Sequence, residues 1–202
     1  MIIGLCGKSG SGKSSLAKEI ININNNTIHV DIDKIGHDVL KIDKVKEDLK
    51  NTFGDIVINN NTVNRKELSK IVFDNKDEMD KLTNITWKYM DSEINNIINS
   101  NKDKNIILDW ILLPKVKYFN MCDIKILLDI SYEERLKRAS IRDNISEDIF
   151  KLREKATYNY NLEDFDYIFK DNDNIKERLE EILWQEFYIL EVLILLLKDI
   201  WI

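Results

Sequence analysis

Gly7-Lys8-Ser9-Gly10-Ser11-Gly12-Lys13-Ser14 is the stretch that decides the fold. It satisfies the spacing G-x-x-x-x-G-K-[ST] at every fixed position. Upstream, Ile2 to Cys6 is a short apolar run that reads as a buried strand. Downstream, Ser14 to Ile21 has helix-compatible spacing. Glycines let a backbone wrap a phosphate with its N–H groups pointing inward, and a helix start adds the positive end of its dipole. Lys13 brings a mobile charge for β- and γ-phosphates, and the Ser14 hydroxyl suits Mg²⁺. Gly7, Lys8, Ser9, Gly10, Ser11, Gly12, Lys13, Ser14 and Ser15 are therefore the predicted triphosphate site, with ATP the expected nucleotide and Ser14 the expected metal ligand. Without a nucleotide, Lys13 is expected to face solvent.

Composition narrows the class. The 202 residues suit one core with an insertion. Thirty Lys+Arg against 36 Asp+Glu leave a formal charge of −6, which speaks against a nucleic-acid binder, because phosphate neutralisation needs clustered cations. Six Gly, one Pro and two Cys exclude collagen-like and disulfide-scaffold readings. Cys6 and Cys122, each beside an apolar run, read as buried thiols of a reducing cytosol. The N-terminus lacks the basic and long apolar regions of a signal peptide, so a cytoplasmic location is expected. Phe187 to Leu197 is apolar except for Glu191. A membrane span wants about 20 apolar residues. This shorter, interrupted run is expected to be part of a C-terminal helix over about 174–202, packed on the core or on a second copy of the chain.

Thr27 to Val30, Ile106 to Leu108, Ile124 to Ile130 and Tyr167 to Phe169 read as further short strands. Residues 34 to 104 read as mostly helical. Asn64 followed by Glu67 marks a helix start, and Leu82, Ile85, Tyr89 and Ile94 recur at helical steps. Ile56 to Ile58, Asn59 to Asn61 and Thr62-Val63 read as a small hairpin. Ser131 with Glu134 is a capping box opening a charged helix. Strands alternating with helices predict an α/β fold with a parallel sheet and crossover helices.

The guanine-reading signature of a GTPase is missed, since Asn75-Lys76-Asp77-Glu78 ends in Glu and follows no strand. A small kinase is the better reading. Over about residues 1 to 172 the chain resembles the dephospho-coenzyme A kinases. Val30-Asp31-Ile32-Asp33-Lys34-Ile35-Gly36-His37 is similar to that family's I-D-A-D-x-I-A-[HR]. Phe53-Gly54-Asp55-Ile56, Val63-Asn64-Arg65 with Leu68, and Ile71-Val72-Phe73 follow in the family's order, as do Asp109 to Leu113, Cys122-Asp123, and the lid-like Arg135 to Arg138 with Arg142-Asp143. The chain departs from the pattern at Thr86-Trp87 where His-Pro is usual. Ile111 replaces a proline and Lys115 an acid, and Lys155 and Tyr158 stand where the lid usually has Gln and Arg. The resemblance implies a P-loop kinase core of the nucleoside-monophosphate-kinase type. It would be a single domain over residues 1–202, with a helical acceptor-side insertion at about 43–104 and a lid at about 131–160. The implied reaction is ATP- and Mg²⁺-dependent phosphorylation of the ribose 3′-hydroxyl of dephospho-coenzyme A. A nucleotide or nucleoside kinase with another acceptor, and a non-catalytic nucleotide-binding protein, are the competing readings.

Asp31 and Asp33 lie just past a strand, at the edge where ligands of parallel sheets gather. The family implies that Asp33 takes the proton of the acceptor hydroxyl; both residues also suit a turn or a helix cap. Asp109 ends a strand like the acid of a Walker B motif and is expected to orient substrate or a water of the Mg²⁺ shell. Arg135, Arg138 and Arg142 share one helix face. Arg138 and Arg142 are expected to neutralise charge on the transferring group. Arg135 is assigned to a solvated face, with Glu134 available to Arg138 at i+4. Arg65 and His37 are the remaining acceptor-side candidates.

Overall fold

The computed structural model describes residues 1–73, 75–155, 158–171, 174, 175, 177–183 and 185. The apolar run before the loop forms β1 (Ile2–Gly7), and α1 (Lys13–Ile23) starts at the lysine of the motif with Gly12 as its N-cap. β2 (Thr27–Asp31) and α2 (Ile32–Val39) follow, then α3 (Asp43–Phe53). The hairpin pairs β3 (Ile58–Asn59) with β4 (Thr62–Val63). Its two-residue turn is Asn60-Asn61, with φ of 46° and 58°. That is the left-handed geometry of a type I′ turn, which asparagine tolerates. α4 (Arg65–Val72) is capped as expected, Asn64 accepting from the Glu67 N–H. α5 (Lys76–Ser100) runs for 25 residues through Thr86-Trp87. Then come β5 (Asn105–Asp109), β6 (Ile124–Leu128), α6 (Tyr132–Asp143), α7 (Glu147–Lys155) and β7 (Tyr167–Phe169). Strand β6 stops two residues before Ile130.

The chain divides into two compact units. The first, Met1–Val30 with the residues from Lys104 on, holds a five-stranded sheet of order β2-β5-β1-β6-β7. β1 pairs in parallel with β5 and β6, and β6 with β7. Strands buried on both faces read as continuous apolar runs, as β1 and β5 do. The core gathers Ile3, Leu5, Leu16, Ala17, Ile20, Ile107, Ile126 and Phe169. Residues 177–183 are helical and add Leu179, Ile182 and Leu183 to the same core. The remainder of the expected C-terminal helix, including Phe187 to Leu197 and the subunit contact assigned to it, lies outside the described residues.

The second unit, Asp31–Asp103, is helical apart from the hairpin and has its own core of Val45, Leu49, Val57, Leu68 and Val72. It takes in α2, which packs on α5. Both cysteines are free and buried. No helix among the described residues is long and apolar enough to cross a membrane.

Candidate active site

In a parallel sheet the carboxyl ends of neighbouring strands share one edge. β1 delivers the phosphate loop there, and the register Leu5↔Asp109 sets Asp109 beside its entry. Asp109 is 4% exposed. It is held from two sides: His29 Nε2 lies 3.0 Å from Oδ2, and Lys13 Nζ lies 3.9 Å from Oδ1. Lys13 also donates to the Gly7 carbonyl at 2.9 Å, and its side chain is only 15% exposed. The expectation of a solvent-facing Lys13 is therefore corrected. The ammonium folds back over the loop, because a buried carboxylate and a free carbonyl outbid water for it.

Three cations cap alternate carbonyls of the loop. Lys13 takes Gly7, Arg135 Nη1 takes Ser9 at 3.2 Å, and Arg138 Nη1 takes Ser11 at 3.1 Å. The loop's own turn, Ser11 N–H to Lys8 carbonyl at 3.1 Å, occupies a fourth. A trans peptide sets its C=O and the following N–H in opposite directions. Holding the Ser9 and Ser11 carbonyls toward arginines thus turns the Gly10 and Gly12 N–H groups away from them. Gly10 (φ +81°) and Gly12 (φ +98°) supply the left-handed backbone this path needs. Ser11 Oγ is buried with no hydrogen-bond partner among the described residues, an orphan polar atom in the loop. Ser14 and Ser15 are exposed at the start of α1. A cleft of about 390 Å³ adjoins the loop, bounded by Gly12, Ser15 and Arg138 and floored by Leu16, Leu128 and Leu179.

Arg135 is not on a solvated face. It is 4% exposed, and its Nη1 and Nη2 bind Glu154 of α7 at 2.6 and 2.7 Å. Its Nε donates to the Ile130 carbonyl, and its guanidinium lies over the Phe150 ring. Helical spacing placed it correctly with Arg138 and Arg142, but α7 and the loop cover that face at Arg135. Arg138 makes the i,i+4 pair with Glu134 at 3.0 Å as well as its loop contact. Arg142 is 61% exposed along its side chain and bound to its neighbour Asp143 at 2.7 Å, which raises its pKa further.

Tyr160 was not anticipated. Its hydroxyl accepts from the Gly7 N–H at 3.1 Å and donates to the Ile111 carbonyl at 2.9 Å. Burial raises the phenol's pKa, so the group stays a donor as well as an acceptor. An edge-to-face series carries it: Tyr158, Tyr160, Phe165 and Phe119, with centroids 5.1, 5.7 and 5.4 Å apart. Lys115 lies 5.3 Å over the Tyr158 ring, so two of the departures from the family pattern meet each other. The Lys155 side chain is outside the described set. His29 was missed too; a histidine two residues before Asp31 in an apolar strand was the available signal.

The other nominated residues belong to the second unit. Asp31 caps α2, accepting from the Lys34 N–H at 3.0 Å, and Asp33 is exposed in the first turn of that helix. Arg65 Nη2 donates to His37 Nε2 at 2.9 Å, so those two candidates are brought together. Thr86 Oγ1 bonds back to the Leu82 carbonyl, and Trp87 is half-buried, so the Thr-Trp pair keeps α5 unbroken where a proline would remove a helix bond.

Residues 1–183 match the family model described as dephospho-CoA kinase. A Fusobacterium nucleatum protein named dephospho-CoA kinase is 31% identical over 186 residues, covering 90% of this chain and 95% of that one. A Clostridium tetani protein of the same name is 32% identical over 183 residues, covering 87% and 80%. Among solved structures, a Thermus thermophilus protein superposes with a TM-score of 0.78 at 20% identity over 92% of this chain and 97% of its own. A dephospho-CoA kinase from Campylobacter jejuni gives 0.56 at 20% identity over 91% and 96%. At that identity these structures speak to the fold.

Proposed function

The chain belongs to the dephospho-CoA kinase family and uses ATP to phosphorylate dephospho-CoA to coenzyme A; we propose that Lys13, Arg138 and Arg142 stabilise the phosphoryl group in transit and that Asp33 takes the proton of the ribose 3′-hydroxyl. The observation that carries this reading is the loop itself. Its carbonyls at 7, 9 and 11 are tied back by cations, and holding those of Ser9 and Ser11 turns the Gly10 and Gly12 N–H groups to the other side, the arrangement that suits an anion. Phosphoryl transfer asks for positioning and charge stabilisation more than for covalent chemistry. A lysine poised between Asp109 and the Gly7 carbonyl supplies a charge already aimed, and His29 keeps the Asp109 carboxylate turned toward it.

Mg²⁺ prefers oxygen ligands and leans on the nucleotide's own phosphates. The chain fits that habit: Ser14 offers an exposed hydroxyl at the start of α1, next to the lysine of the loop. Ser14 is the protein ligand we assign, with Asp109 available to orient a water of the ion's shell. Bound there, the ion supplies charge neutralisation. The cleft beside Gly12 and Arg138, with its leucine floor, has the size and polarity to take the base and ribose of ATP. On the acceptor side, Asp31, His37 and Arg65 are the proposed contacts, the Arg65 guanidinium meeting a phosphate of the acceptor.

The test is ADP release with and without dephospho-CoA, on the native chain and Asp33→Asn. The native chain should release ADP only with acceptor. The variant should lose kcat by roughly 10²-fold or more at unchanged ATP affinity. Absent turnover would favour a binding protein, acceptor-independent turnover would make the chain an ATP hydrolase, and an Asp33→Asn variant altered only in acceptor KM would make Asp33 a binding residue.

A further inference from the structure

We propose that Arg135 and Glu154 form a brace through which α7 of the lid segment sets the conformation of the phosphate loop, making Arg135 a positioning residue for ATP. The inference rests on the phosphate loop being the ATP site, and goes on to say what holds that site in shape. One guanidinium reaches three parts of the fold. Nη1 touches the Ser9 carbonyl of the loop, Nη1 and Nη2 grip both oxygens of Glu154, and Nε holds the Ile130 carbonyl past β6. The plane lies over Phe150 of α7, whose ring also meets Tyr132 at the start of α6 edge to face. At the same place the Gly10 Cα approaches the Arg135 backbone so closely that a β-carbon would sit 2.5 Å from its carbonyl oxygen.

These contacts make the Ser9–Gly10 peptide the one the brace controls. Its carbonyl is held by a charged donor, so its N–H is directed to the other side of the loop. A buried guanidinium without its carboxylate is costly, and its hydrogen bonds re-form on whatever acceptor is near. Loss of Glu154 therefore frees Arg135 to shift, and the Ser9 carbonyl loses its fixed partner. The Glu154 carboxyl is held below its ordinary range by Arg135, with a smaller contribution from Lys8, in keeping with a pair that is ionised on both sides. The bidentate geometry matters: a lysine has no fork with which to hold two carboxylate oxygens and a carbonyl at once.

Two variants test the brace. Glu154→Gln keeps size but breaks the ion pair. The double variant Arg135→Met with Glu154→Met fills the space with apolar atoms and removes the Ser9 donor altogether, a replacement buried pairs often tolerate. ATP affinity is read by calorimetry without acceptor, and both KM values by ADP release. Binding by the native chain is measured first; if it fails, the ATP-site reading falls rather than the brace. The brace predicts ATP affinity and KM for ATP weakened about tenfold in each variant that folds, the scale of one charged hydrogen bond, with KM for the acceptor unchanged. Native ATP affinity in Glu154→Gln, or an equal rise in both KM values, would overturn the proposal and leave the pair a matter of stability alone.

Discussion

Gly10→Ala puts the account of the loop under direct load. Gly10 has φ of +81°, where an L-residue pays roughly 1–2 kcal/mol for left-handed backbone. Its added β-carbon would lie 2.5 Å from the Arg135 carbonyl oxygen and 3.1 Å from that residue's C and Cα. These are helix backbone atoms and move only with α6, so an overpacking cost of roughly 1–3 kcal/mol is added. Together the loss is about 2–5 kcal/mol. Gly12→Ala is the control. Its φ of +98° carries similar strain, but its β-carbon meets only Arg138 Nη1 at 3.3 Å, the far end of a side chain that swings aside. Its cost should stay at roughly 1–2 kcal/mol. For a chain of this size each kcal/mol moves Tm by about 2–4 °C, so Gly10→Ala should fall by about 4–20 °C and Gly12→Ala by about 2–8 °C. Thermal unfolding followed by circular dichroism on both variants reads the difference. A Gly10→Ala Tm equal to or above that of Gly12→Ala would refute the close packing of α6 on the loop.

Lys13→Ala should abolish measurable turnover, a loss of roughly 10²–10³-fold or more, while circular dichroism still reports native secondary structure; native turnover in that variant would remove Lys13 from the mechanism. Because the folded-state pKa of Glu154 lies below its ordinary 4.5, the stability it adds is fully present above that value and is lost as pH falls through the lowered one. The Tm gap between the native chain and Glu154→Gln should thus be constant around neutrality and close below pH 4.5; a gap that widens in acid would contradict the pairing with Arg135. Burial pushes the Cys122 thiol up to about 12 and the Cys6 thiol higher still. Neither should react with iodoacetamide at neutral pH until the chain is unfolded, and rapid labelling of the native protein would show that β1, for Cys6, or the turn before β6, for Cys122, is less covered than described.

What could be read in the sequence was what is written locally. The phosphate loop, its flanking strand and helix, and the caps at Asn64 and Ser131 are each set by residues within a few positions of one another, and each is found where its residue types require. Contacts set by the fold left no local mark. Tyr160 reaches Gly7 from 153 residues away, and Arg135 reaches Ser9 from 126. Helical spacing shows which residues share a face but not what covers it, which is why Arg135 was given to solvent. Lys115 and Tyr158 looked like two independent departures because only the fold brings the ammonium over the ring. Asp31 serves as the helix cap that its residue type suggests, which shows how a carboxylate near a site is employed by the backbone first.

The central claim is that this loop transfers phosphate from ATP to dephospho-CoA. Its most direct test is kcat/KM from coupled ADP release for dephospho-CoA against adenosine and the common nucleoside monophosphates at matched concentrations, with the product's phosphate located by NMR. The account predicts the highest kcat/KM for dephospho-CoA and a new phosphate on the ribose 3′-oxygen. A higher value for any nucleoside monophosphate, or a phosphate at another position, would contradict it.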